Sequence, residues 1–298
     1  SIIAILELAT AKYWVDNFNK NTITYKSKKQ VYIQTWHGDR GFKKIAYDSP
    51  FFTKKLIESE ICDLFISGSE YGERKIRTAF KYSGEIMKTG CPRNDVLVKD
   101  NGRVRSLIKQ KINLSENTCV LLYAPTLRRD VVEGHKLQSY NDIDLVEVIK
   151  TLEKMTKMKW LCLIRAHSAV DGLEGIPSSE IDIIDVTAYE DMSDLLLISD
   201  FLITDYSSSA GDFVLLNRPL VLFQPDRENY NKYDRPFYFD MEQSPYMIAK
   251  NQENLIEIVL KIDKEKIPRK CREIHDFYGT VETGEASKNV VEYMLSKK

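Results

Sequence analysis

The chain of 298 residues contains no run approaching the roughly 20 apolar residues that cross a bilayer, and Asp194 and Asp200 break its most hydrophobic region. No basic-then-apolar segment opens it, so no secretory leader is expected. Cysteine is sparse and scattered: Cys62, Cys91, Cys119, Cys162 and Cys271 are odd in number and form no CxxC. That excludes a disulfide framework and argues against structural zinc. Cys119 and Cys162 sit in apolar runs and read as buried free thiols of a reducing cytoplasm. Charge of one sign is also lacking, with 43 Lys and Arg against 44 Asp and Glu. A net charge of -1 gives no drive towards nucleic acid, and none is expected as a partner. No GxGxxG, Walker A, GxSxG or HExxH pattern occurs, so dinucleotide, nucleoside triphosphatase, serine hydrolase and zinc protease readings lose ground. No carboxylate pair suggests a dedicated metal site, and no metal or cofactor is expected.

What remains is a globular composition, 43% hydrophobic and 29% charged, long enough for about two domains. Strand-like runs end repeatedly in polar turns that lead into helical periods. Residues 2–12 read as a helix and 13–17 as a strand, with no leading strand and glycine-rich turn before them. The first lobe is therefore expected to lack its first βα units. Further strands are expected at Val31 to Thr35, Leu64 to Ser67, Ile86 onward, Cys119 to Ala124, Lys159 to Ile164, Ile181 to Val186, Phe201 to Thr204 and Pro219 to Phe223. Helices are expected at 48–60, 70–80, 103–112, 145–157, 191–198, 212–216, 251–262 and 285–295. The alternation predicts an α/β protein with parallel sheets under helical cover. A boundary near the polar stretch Asn113 to Thr118 divides a first lobe, 1–113, from a second, 114–298, that keeps the closing helices.

The strand ends carry the chemistry. Phe201-Leu-Ile-Thr204 runs into Asp205, Tyr206, Ser207, Ser208 and Ser209 before a helix. The carboxyl end of a strand in an open α/β sheet is where ligands sit. Hydroxyls and the unpaired N–H groups of a helix start suit phosphate, although one serine there is equally an ordinary cap. Val31 to Thr35 ends in Trp36-His37-Gly38 followed by Lys43 and Lys44, which places a histidine at a second strand end. A second histidine-bearing end is Arg165-Ala-His167. Arg128, after the strand ending at Ala124, has the planar fork that matches phosphate oxygens. Asn94 and Asp95 open a helix after Gly90-Cys-Pro-Arg93 and serve there as caps or as contacts. His135 reads as surface and His275 as structural. The bland alternative for His37 and His167 is a backbone hydrogen bond at a domain edge.

Taken in order, Trp36-His37-Gly38 with Lys43-Lys44, Gly90 to Asp95, Tyr123 to Arg128, Arg165-Ala-His167, Leu202 to Ser208, Asp212-Phe213 and Asn217-Arg-Pro219 resemble the CDP-glycerol glycerophosphotransferase family. These are the teichoic-acid primases and polymerases of Gram-positive bacteria, with related capsule and CDP-ribitol enzymes. Phe237 to Asp240 and Asp276 to Ala286 extend the likeness over essentially the whole chain. The resemblance implies a GT-B-like architecture, two Rossmann-like lobes facing a cleft, the first on the acceptor side and the second binding the nucleotide donor. It implies transfer of glycerol phosphate from CDP-glycerol to an acceptor hydroxyl, with release of CMP. On that footing His37 is the general base. His167 and Arg165 hold the pyrophosphate, while Ser207, Ser208 and their helix start cradle it. Gly38, Lys43, Asn94, Thr204, Asp205 and Arg128 are further substrate-binding candidates, Asp205 either orienting a histidine or serine or capping its turn.

Three segments depart from the family's usual pattern: Asp39-Arg-Gly-Phe42, Pro236 after Arg235, and Pro245-Tyr-Met-Ile248. They bear on the acceptor, and suit a capsule-type or divergent enzyme. The acceptor implied is a lipid-linked saccharide or polyol phosphate, which puts the protein peripherally at the inner membrane face. Arg40, Lys43 and Lys44 alone supply little anchoring there, at about 1 kcal/mol per basic residue. The rivals are a CDP-ribitol enzyme, a glycosyltransferase using a nucleotide sugar, and a non-catalytic nucleotide- or polymer-binding module. The sequence does not give an oligomeric state.

Overall fold

The computed structural model describes residues 2–20, 22–126, 128, 143–166 and 182–297. His135 and His167 lie outside the described residues. Two compact units emerge, one comprising Ser1–Arg40, Lys44–Val98 and Tyr278–Lys298, the other Gly41–Lys43 and Lys99–Phe277. Each holds one parallel sheet.

In the first unit the sheet has the order β1 (Tyr13–Asp16), β2 (Val31–Gln34), β3 (Leu64–Ser67), β4 (Glu85–Lys88). β3 is buried at all four positions, as expected of a continuous apolar strand covered on both faces. The helix Glu70–Ala79 follows it after two residues, Gly68 and Ser69. Its first turn is capped by Ser69, whose hydroxyl accepts the Gly72 N–H at 2.9 Å. Trp36, Phe65, Ile76 and Phe80 form the core on one side, while Ile33, Leu64 and Ile66 pack on Val290 of the C-terminal helix Ala286–Ser296.

The second unit's sheet has the order β10-β9-β8-β5-β6-β7, built from β5 (Cys119–Ala124), β6 (Trp160–Ile164), β7 (Ile183–Asp185), β8 (Phe201–Thr204), β9 (Leu220–Phe223) and β10 (Ile248–Ala249), every pair parallel. Counting β5 as the first strand of this unit, the order is 3-2-1-4-5-6, that of a doubly wound dinucleotide-binding sheet. The chain winds outward one way from β5 and returns to start again at β8, so the switch point lies between those two strands. The helix Leu145–Thr156 buries Leu145, Val148, Ile149 and Leu152, the i, i+3, i+4, i+7 stripe. Asp144 caps it by accepting the Glu147 N–H.

The structure divides the chain differently from a boundary at 113. The helix Arg103–Lys111 belongs to the second unit, where Arg105 donates to the Leu197 carbonyl at 2.7 Å and pairs with Asp200 at 2.8 Å. The closing helix returns to the first unit, where Val290 packs and where Glu282 forms a buried ion pair with Arg40 at 2.9 Å. The helix expected at 48–60 reduces to a 3-10 turn, Ala46–Asp48, and one α-turn, Glu58–Ile61. Pro50 explains this, because a residue before proline is driven out of the α region, and Ser49 is extended. The helix Ile267–Tyr278 was not read from the sequence.

Candidate functional site

At the switch point the carboxyl ends of β5 and β8 are held together by a buried polar lattice. The Thr204 hydroxyl donates to the Ala124 carbonyl at 2.6 Å, tying the two strand ends. Asp205, 3% exposed, accepts from the Thr126 N–H and hydroxyl and from the Arg128 Nη1 at 2.8 Å. The other edge of Arg128 forks onto Asp226, with Nε at 2.7 Å and Nη2 at 3.2 Å. Its guanidinium also lies 4.8 and 4.9 Å from the Tyr206 and Tyr230 rings, which stack on each other at 3.9 Å. Burial opposes the Arg128 charge, but the two carboxylates outweigh it and hold the pKa above its ordinary value. The Tyr206 hydroxyl donates to Asp226 at 2.8 Å; burial first, then Asp226, raise its pKa.

This lattice takes up three residues named from the sequence. Arg128 is committed to Asp205, Asp226 and the Thr126 carbonyl, so it pins the loop after β5 instead of offering an open fork to phosphate. Asp205 caps its own turn, also accepting the Tyr206 N–H. Thr204 is fully buried and structural.

Around the lattice stand further polar groups. Ser207 and Ser208 are half-buried. The Ser207 hydroxyl accepts from the N–H and hydroxyl of Ser209, at 3.2 and 2.9 Å. The helix they open, Ser209–Phe213, is hardly more than one turn, so hydroxyls and loop N–H groups matter there more than a helix dipole. Past the end of β6, Arg165 reaches the Glu190 carbonyl through Nη2 at 3.4 Å, while its inaccessible Nη1 meets no acceptor among the described residues. Burial lowers its pKa, with Asp191 opposing. Lys43 pairs as an isolated antiparallel bridge with Phe237, and its ammonium lies 6.0 Å from the Tyr230 ring. Among the described residues it makes no ion pair. Burial, then Arg235, lower its pKa to about 8, with Asp205 and Asp234 pulling the other way. A cation in that condition gains from any anion placed beside it.

The first unit presents His37. β2 stops at Gln34, whose side chain accepts the Trp36 N–H at 2.9 Å, and Trp36 turns left-handed at φ 51. His37 is thereby exposed. Its ring lies against Trp36 at 4.1 Å and stacks on Phe18 at 5.7 Å. Nδ1 donates to the Asn17 carbonyl at 2.7 Å. A carbonyl only accepts, so the neutral ring carries its proton on Nδ1, and Nε2 is the basic nitrogen. Behind the turn, the Gly38 carbonyl accepts from Lys75 at 3.0 Å. Asp39 accepts from Ser67 and Ser69 at 2.7 and 2.6 Å. Glu282 accepts from Arg40, Asn94 and the Cys91 N–H at 2.9, 2.8 and 2.8 Å. Asn94, fully buried, donates to Glu282. Asp39, Lys75, Asp226 and Glu282 do not stand out in the sequence, since each reads as an ordinary surface charge until its distant partner is known.

A doubly wound sheet whose switch point is edged with hydroxyls and cations, in a chain whose other unit exposes a histidine with its proton fixed on Nδ1, fits a transferase acting on nucleotide-activated phosphate groups. The CDP-Glycerol:Poly(glycerophosphate) glycerophosphotransferase family matches residues 1–296, and the chain belongs to it. It is similar to the teichoic acid poly(glycerol phosphate) polymerase of Bacillus spizizenii, 32% identical over 97% of this chain and 75% of that protein. The polymerase of the same name from Bacillus subtilis is 33% identical over 96% of this chain but only 40% of its own length. Among solved structures, the wall teichoic acid polymerase TagF superposes with a TM-score of 0.83 at 29% identity, covering 99% of this chain and 75% of that one. The resemblance read from the motifs and the two-sheet α/β architecture are both met. Glycerol-phosphate transfer from CDP-glycerol to a polymer is the reaction of the family.

Proposed function

We propose that this chain transfers glycerol phosphate from CDP-glycerol to the terminal hydroxyl of a polyol-phosphate chain on a lipid-linked saccharide. The observation that carries the reading is the exposed His37 imidazole, fixed through Nδ1 to a backbone carbonyl with Nε2 basic. The acceptor hydroxyl gives its proton to His37 Nε2 as its oxygen bonds to the glycerol-bearing phosphorus, and the bond from that phosphorus to the CMP oxygen breaks. Lys43 and Arg165 take the diphosphate charge, with Ser207 and Ser208 donating to its oxygens. His167 joins them on the strength of its sequence position after Arg165. The lattice of Arg128, Asp205 and Asp226 holds these loops in register. A lipid-linked acceptor places the work at the inner face of the membrane. No helix among the described residues is long and apolar enough to cross it.

The test is CMP release with CDP-glycerol, CDP-ribitol and UDP-glucose offered in turn beside a lipid-linked glycerol-phosphate primer. CMP from CDP-glycerol alone is expected, and His37→Ala is expected to lower that rate by about 10²- to 10⁴-fold with the fold intact. Turnover only with CDP-ribitol would change the donor and keep the mechanism. Near wild-type turnover in His37→Ala would remove the base.

A further inference from the structure

The turn that presents His37 is gripped on both of its flanks by cationic side chains. Arg93, in the 3-10 turn Pro92–Asn94, donates through Nη1 to the Trp36 carbonyl at 3.2 Å. Lys75, on the helix Glu70–Ala79, donates through Nζ to the Gly38 carbonyl at 3.0 Å. The two carbonyls belong to the residues immediately before and after the histidine. Trp36 is a left-handed tryptophan, a conformation that costs on the order of 1–3 kcal/mol and persists only where the surroundings enforce it. Charge-assisted bonds to its own carbonyl and to that of Gly38 supply the enforcement. Lys75 is 5% exposed, and a lysine so buried on a surface helix has no packing reason to be charged.

We propose that Lys75 and Arg93 are positioning residues for the transfer reaction, bracketing the His37 peptide so that the imidazole is held where the acceptor hydroxyl must meet it. The proposal rests on His37 being the base. Three observations support a positioning role over a purely structural one. Each cation reaches a main-chain oxygen adjacent to the histidine. The helix bearing Lys75 is fitted to the turn closely: a Cβ on Gly72 would stand 1.9 Å from Asp39 Oδ1. Asp39 itself is fastened by Ser67 and Ser69, so the helix, the turn and the end of β3 form one body.

The groups facing Lys75 are Asp39, Arg40, Arg93 and Cys91, with the Tyr71 ring 4.7 Å from its ammonium. Burial first, then Arg40 and Arg93, lower its pKa to about 8, and Asp39 opposes them. Lys75 is therefore charged below pH 8 and loses its proton as pH rises through that value, whereas arginine in its place stays charged.

The experiment is steady-state CMP release from CDP-glycerol with a glycerol-phosphate primer, for His37→Ala, Lys75→Met, Lys75→Arg and Arg93→Met, with folding checked by thermal melting. A displaced catalytic group costs up to about 100-fold, so Lys75→Met is expected to lose at least about tenfold in kcat with the donor KM little changed. Lys75→Arg is expected to recover most of that loss and to stay active further above pH 8 than the wild type. A folded Lys75→Met with wild-type kcat, while His37→Ala is inactive, overturns the proposal. If Lys75→Met does not fold, Lys75→Arg decides: a pH profile coincident with the wild type's refutes positioning by Lys75. An active His37→Ala refutes the base and not merely its bracket.

Discussion

Replacing Glu282 by alanine should unfold the first unit well before the second. The carboxylate is 1% exposed and its partner Arg40 is wholly buried. It accepts from three donors: Arg40 Nη1, Asn94 Nδ2 and the Cys91 N–H. Alanine removes the buried carboxylate that pairs with the Arg40 guanidinium, for which the cost is about 3–5 kcal/mol, and takes an acceptor from two further donors. With an urea dependence of about 2 kcal/mol per molar, 4 kcal/mol lowers the midpoint by about 2 M. Trp14 and Trp36 are buried in the first unit and Trp160 in the second, so fluorescence of single-tryptophan backgrounds separates the two transitions. The transition seen by Trp14 should move by that amount and the one seen by Trp160 should hardly move. The double variant Arg40→Met/Glu282→Leu should be less destabilised than Glu282→Ala, because it removes both buried members of the pair and not one alone. A shift in Glu282→Ala below about 1 kcal/mol would refute the reasoning, since it would mean that water reaches Arg40.

Donor affinity should weaken as pH rises through about 8, because the Lys43 ammonium that attracts the diphosphate is fully charged only below that value; Lys43→Arg should flatten this dependence in calorimetric titrations with CDP-glycerol. Ser207→Ala/Ser208→Ala should raise the donor dissociation constant by about 5- to 150-fold, the equivalent of about 1–3 kcal/mol for hydrogen bonds to a charged group, and leave the thermal midpoint unchanged. Gly72→Ala should destabilise the first unit by about 2 kcal/mol or more, read from the same urea transitions, because its methyl would overlap the Asp39 carboxylate. A Lys43→Arg variant that keeps the wild-type pH dependence would show that the diphosphate binds elsewhere.

The strands of the second sheet were legible because each is a short, uniformly apolar run, such as Val120 to Tyr123 or Phe201 to Ile203, closed by polar residues at its carboxyl end. The histidine turn was legible for the same reason, since β2 ends abruptly in Trp36-His37-Gly38. The helix Ile267–Tyr278 was also within reach and was overlooked: Ile267, Cys271, Ile274 and Tyr278 recur at helical spacing and are all buried. The role of Arg128 was not accessible. Its fork is taken by Asp205 and Asp226, 77 and 98 residues away, and no local pattern signals which carboxylates will fold back onto it. The same holds for Lys75, which looks like one more charge in Glu70-Tyr-Gly-Glu-Arg-Lys75 until the Gly38 carbonyl arrives beside it.

Because the first unit is closed by residues 278–298, it cannot be finished when its own sheet has left the ribosome. The Arg40–Glu282 pair spans 242 positions, and Val290 fills a core whose other members were made more than 200 residues earlier. The intervening unit, contributed almost entirely by one continuous stretch, is free to fold first, while the histidine-bearing half waits as a sheet with one face uncovered. Loss of residues 278–298 would therefore harm the unit built on residues 1–98, not the one that immediately precedes them.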